Sequence, residues 1–225
     1  MKEAVLFLLL ISLCGVGWCQ FQEVPASDAA AVARSCGGPL VGEGWQMNTV
    51  RNIIQRFAPN PLFTLSPAWI TVINKNDVNA VTLAPVGKRF SVVCVYSGLM
   101  AVMQDSEAEL AAVIAHELGH AFDLKCRQYV GVGAPRPSLE VQRTCETRAD
   151  EMGFRLLVNA RYNPYAMGGM FGRLEAFSGD TSTNFLARLN NTVALNHPMT
   201  PDRMSDVHRM IAQYVCKQNP GTCQK

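Results

Sequence analysis

The pentapeptide His116-Glu117-Leu118-Gly119-His120 constrains this chain more than any other feature. It lies inside a run that reads as one long helix. Ser106 followed by Glu109 forms a capping box, and Ala112, Val113, Ala115, Leu118 and Ala121 continue the pattern to about Lys125. Histidines four apart on a helix project from one face, one turn from each other. Both imidazoles then reach a single zinc ion, and the glutamate between them reaches water at that ion. A fold built on this helix must supply a third ligand and leave one coordination position open.

Histidine is scarce in the rest of the chain: only His197 and His208 remain of 4. Asp123 and Cys126 occupy the places where a metzincin would carry its glycine and third histidine, so that class is excluded. A carboxylate on a second helix is the remaining source. Glu146-Thr147-Arg148-Ala149-Asp150 puts two acids on one helical face. Glu146 is the expected metal ligand, and Asp150 the acceptor for the outer nitrogen of a ligand histidine. One zinc ion per chain follows, held by His116, His120 and Glu146, with Glu117 as the catalytic base.

The remainder of the chain narrows the setting. Lys+Arg number 20 and Asp+Glu 18, a net charge of +2. That is too little basic excess to bind nucleic acid by neutralising phosphates. Lys2, the apolar run from Ala4 to Leu13 and Gly17-Trp18-Cys19 read as a secretory signal cut before Gln20. The mature protein is therefore expected to be exported, periplasmic or extracellular, and membrane-associated only if this segment is retained. No later run reaches the ~18 apolar residues of a transmembrane span. Six cysteines follow the signal, an even number suited to an oxidising compartment. Cys216 and Cys223 flank Pro220-Gly221 as a short local loop. Cys36, Cys94, Cys126 and Cys145 are either paired or buried thiols.

The order of elements is legible from periodicity. A short helix is capped by Ser27-Asp28, and a second runs through Trp45, Val50, Ile53, Ile54 and Phe57 to Pro59. Trp69 to Ile73, Val78 to Leu83 and Phe90 to Tyr96 read as three strands of a small, mostly antiparallel sheet. Beyond Ser97 the chain is helical: about 106–125, about 139–160, from Pro164 to near Phe177, and from Thr200-Pro201 to about Cys216. Ser178 to Thr192 reads as a loop. Asp123 is expected in solvent, His208 on an exposed helical face, and Met167, Met170 and Leu174 in the core.

With these motifs in hand, the chain resembles peptidase family M48, zinc metalloendopeptidases that include HtpX and the CAAX prenyl proteases. The resemblance rests on His116 to His120, Glu146 to Asp150 and a late His197-Pro198 with Arg203. Asn79-Ala80 on an upstream edge strand and Ser97-Gly98-Leu99 add to it. It implies an α+β, zincin-like (gluzincin) helical core with the sheet edge bordering a cleft. It also implies hydrolysis of protein or peptide substrates bound in extended form, with Asn79 and Ala80 holding the substrate main chain. By the same resemblance His197 either steadies the oxyanion or closes the resting site as a fourth ligand. Arg203 is expected to make a structural ion pair rather than a substrate contact. The expected layout is a signal over 1–19, an N-terminal segment over 20–44, the peptidase domain over 45–217 and a tail over 218–225. The transmembrane helices of HtpX and the prenyl proteases are missing, which argues against membrane-embedded substrates. A non-catalytic zinc-bound chaperone or binding protein on the same scaffold is the alternative, and it would have no need of Glu117.

Overall fold

The computed structural model describes residues 23–60, 68–84, 90–130, 134–179 and 201–222. The fold is α+β, mostly helical around one small sheet. Helix α1 spans Ala26–Cys36 and α2 spans Trp45–Phe57. Strands β1 (Ala68–Ile73), β2 (Ala80–Leu83) and β3 (Ser91–Tyr96) follow, then the short α3 (Ser97–Val102). The rest is α4 (Glu107–Phe122), α5 (Leu139–Asn159), α6 (Ala166–Gly179) and α7 (Pro201–Gln218). No helix among the described residues is long and apolar enough to cross a membrane.

The sheet has the order β1-β3-β2 and is mixed, which corrects the mostly antiparallel expectation. β2 and β3 pair antiparallel from Ala80↔Val95 to Leu83↔Val92, while β1 and β3 pair parallel from Ala68↔Ser91 to Ile73↔Tyr96. β3 inserts between its two predecessors, and side-chain alternation carries no information about which edge a strand joins. Among the described residues β2 is left at an edge.

Every residue of β1 and β3 is buried, so both faces of these strands are covered. Ile70, Val72, Val93 and Val95 join the main core with α2 and α4. Trp69, Val92, Cys94 and Tyr96 turn the other way, onto Val32 and Cys36 of α1. A Cys36–Cys94 disulfide fastens α1 to the central strand, closing 58 residues of chain. A loop of that size restricts the unfolded chain by about 4 kcal/mol in the chain-entropy account. β2 differs from its neighbours: Ala80 and Thr82 are buried and Val81 and Leu83 half-buried, so one face alone meets the core.

Helix α4 is the axis of the molecule. Each residue from Leu110 to Phe122 is buried, the histidines and glutamate included. Ser106 caps it by accepting from the Glu109 amide, and Ser138 caps α5 through the Val141 amide. The expected side-chain cap of α1 does not form. That helix starts after Pro25, and Ser27 donates to Asp28 instead. A Cys126–Cys145 disulfide ties the turn after α4 to α5. Cys216 is disulfide-bonded too, whereas Cys223 lies outside the described residues.

Candidate metal centre

Two glycines set how closely α4 and α5 approach. A Cβ on Gly119 would lie 2.4 Å from the Ala149 carbonyl oxygen. A Cβ on Gly153 would lie 2.9 Å from the His116 nitrogen. Neither has a positive φ, so what glycine supplies is room for one helix backbone against the other. This contact drives Glu146 and Asp150 of α5 into the histidine face of α4.

The Glu146 carboxylate spans both imidazoles. Its Oε2 lies 3.4 Å from His116 Nε2 and its Oε1 3.4 Å from His120 Nε2. The two rings meet edge-on with centroids 4.7 Å apart. His116, His120 and Glu146 each offer one ligand atom within 4.8 Å of the others, and all three are buried. Two imidazoles and one carboxylate converging in a buried position form a donor set suited to a divalent metal ion.

A second ring of charge fixes the first. Asp150 Oδ1 lies 2.7 Å from His116 Nδ1, the nitrogen facing away from Glu146. Arg203 of α7 donates from Nε to Asp150 Oδ2 and from Nη2 to Oδ1, both at 2.8 Å. Its Nη1 reaches Glu146 Oε2 at 2.9 Å. Arg203 is thus shared between the two carboxylates, and its side chain is only 4% exposed. Burial alone would raise the Asp150 carboxyl, but His116 and then Arg203 outweigh it and hold it below the usual range.

Burial alone would lower the His116 imidazole, but Asp150 and then Glu146 outweigh it and raise its pKa from 6.5 to about 10. In the metal-free chain His116 is therefore a cation between two acids. The unfolded imidazole gives up its proton near 6.5 and the folded one near 10, so this stabilisation is complete below about pH 6.5 and lost as pH rises toward 10. Metal-free protein should accordingly melt at a lower temperature at about pH 9 than at about pH 6.5, as read by circular dichroism in chelator. A melting temperature that climbs across that window contradicts the assignment.

Glu117 is buried beside the histidines, and its carboxylate Oε2 accepts a 2.7 Å hydrogen bond from Thr82 Oγ1 on β2. Asn79 and Ala80 are both buried and border the same cleft as His116, Glu117 and Arg203. Met170, Phe171 and Leu174 of α6 form its apolar wall. The Met167, Met170 and Leu174 stripe is therefore core at Met167 and Met170 and also site wall at Met170 and Leu174. His208 is exposed on α7. His197 and Pro198 lie outside the described residues.

Asp123 departs from expectation. It is only 3% exposed, pairs with Arg148 Nε at 2.6 Å and accepts from the Lys125 amide at 2.9 Å. It closes the C-terminal end of α4 and ties it to α5. Thr82, Gly119, Gly153 and Arg148 were missed from sequence. Thr82 alone had a signal, since it follows Ala80 by one strand period and so shares its face.

The chain matches known proteins at two levels, a family and a relative. The model of Peptidase family M48 matches residues 45–132 and 128–211. The mitochondrial metalloendopeptidase OMA1 of Arabidopsis thaliana is 30% identical over 144 residues, which is 53% of this chain and 28% of the relative. The chain thus spans under a third of that relative's length. The relative's mitochondrial compartment does not fit the periplasmic or extracellular location expected from residues 1–19, and that expectation is withdrawn. An apolar stretch after one basic residue is a weak address, because hydrophobicity alone does not distinguish one targeting route from another.

Proposed function

The chain belongs to peptidase family M48, the metallopeptidases, and we propose that it is a zinc endopeptidase using His116, His120 and Glu146 as ligands and Glu117 as general base. The observation that carries this reading is the convergence of these three donors, with Glu117 one residue from the first. Each imidazole lies 3.4 Å from a different oxygen of the Glu146 carboxylate, so the three side chains stand close enough to hold one ion between them. The zincin-like core and a peptidase unit over 45–217 belong to the same proposal.

Zinc held by His116, His120 and Glu146 would supply Lewis acidity, which polarises a carbonyl and makes water nucleophilic near neutral pH. The remaining work falls to side chains. Asp150 accepts a hydrogen bond from His116 Nδ1 and so presents Nε2 to the site. Arg203 holds the Asp150 and Glu146 carboxylates in place through its ion pairs. Glu117 takes the proton of the attacking water and later passes it to the leaving amine. The substrate is a protein chain laid extended along β2, the edge strand, with Asn79 and Ala80 beside its main chain. Strand addition reads backbone more than sequence, which suits an endopeptidase. His197 acts from the segment before α7 as oxyanion donor, the role favoured over a latch.

Cleavage of casein or a quenched fluorogenic peptide tests the reading. Activity should vanish with a chelator and return on adding zinc. Undiminished cleavage in chelator, with metal removal verified, would rule it out.

A further inference from the structure

Resting on that reading, we propose that Thr82 is a positioning residue that aims the Glu117 carboxylate. Thr82 lies on the core-facing side of β2, next to Ala80 in strand period, and is 5% exposed. Its Oγ1 lies 2.7 Å from Glu117 Oε2 and 2.7 Å from the Glu117 main-chain oxygen. A hydroxyl carries one proton, so the two acceptors share it. Both belong to Glu117, one at its backbone and one at the tip of its side chain. Thr82 therefore clasps the whole residue.

This contact matters because of what lies on each side of it. Glu117 sits on α4, whose backbone is fixed by close packing on α5. Its carboxylate nonetheless turns about a soft terminal torsion. A short hydrogen bond to one oxygen fixes the carboxylate plane and so the direction of the other oxygen. The donor stands on β2, locked into the ladder opposite Val93. That strand also carries Ala80 and is preceded by Asn79, where the substrate main chain is proposed to lie. One hydrogen bond therefore sets the base in register with the strand that holds the peptide. Displacement of a catalytic group by about 1 Å costs around a hundredfold in rate. A valine would fill the same buried volume, so packing alone does not ask for a hydroxyl here.

The test is a series at position 82 assayed on the full chain with the fluorogenic peptide, with zinc content and melting temperature taken on the same samples. Thr82→Val and Thr82→Ala should each lower kcat by about ten- to a hundredfold, the range for a hydrogen bond to a charged group. KM and zinc content should hold. Thr82→Ser, which keeps the hydroxyl, should recover most of the loss. In a Glu117→Asp background, whose shorter side chain withdraws the carboxylate, Thr82→Val should cost little more. Crystals of metal-free Thr82→Val should show the Glu117 carboxylate turned from its wild-type plane. An unchanged kcat in Thr82→Val overturns the inference, as does a Ser variant as impaired as Ala, which would mean that the methyl group matters. Glu117→Gln run in parallel separates the two levels. If it is inactive while the Thr82 series is flat, this inference alone fails. If it stays active, the reading of Glu117 as base fails first.

Discussion

Glu117→Gln should abolish peptide hydrolysis and leave the metal site intact. The substitution is nearly isosteric, and an amide oxygen still accepts from the Thr82 hydroxyl, which lies 2.7 Å from the native carboxylate. What is lost is the ability to hold a proton. Loss of a general base costs about 10²–10⁴-fold in rate. Glu117 is not among the three converging donors, so metal content should match wild type. Steady-state kinetics with the fluorogenic peptide and elemental analysis of the same sample check both halves. Turnover close to wild type would end the proposed mechanism. Loss of metal would move Glu117 from base to ligand.

The second large effect is expected at Arg203. Replacing it by methionine keeps much of the volume against the Phe171 ring, 5.2 Å away, and removes the charge. Asp150 and Glu146 then face each other around His116 with their arginine partner gone. Breaking a buried ion pair from one side costs about 3–5 kcal/mol, because the remaining charge is left uncompensated. Urea denaturation of metal-free Arg203→Met should show a loss of that size. With zinc bound the loss should shrink, since the cation supplies part of the missing positive charge. A loss under about 1 kcal/mol in metal-free protein would mean that the network is more solvated than its burial implies.

Arg203 was legible as a structural ion-pair residue, and it pairs with Glu146 and Asp150. Helix α4 was legible because its signals are local: a capping serine, helical period and two histidines one turn apart. Helix α5 was legible by the same kind of signal, as was Glu146 as the acid on it that faces the histidines. The sheet was legible as three strands but not as a mixed order, because β3 enters between β1 and β2 and strand pairing is set in three dimensions. Asp123 looked like a solvated acid one turn past His120. Its burial depends on Arg148 from another helix, which no local pattern announces. Gly119 and Gly153 carry no motif of their own, and their role exists only at the crossing of two helices. The pairing Cys126–Cys145 likewise follows from that crossing. Thr82 was within reach, since period two places it beside Ala80, but nothing in the sequence aims it at Glu117. The α6 stripe was read as core because an apolar wall of a cleft and an apolar core have the same period.

The central claim is that His116, His120 and Glu146 together hold one zinc ion. Elemental analysis of purified wild type beside Glu146→Ala tests it most directly. Wild type should carry close to one zinc per chain and Glu146→Ala almost none after the same dialysis, with both proteins folded by circular dichroism. Full zinc retention in folded Glu146→Ala would remove Glu146 from the site and contradict the account.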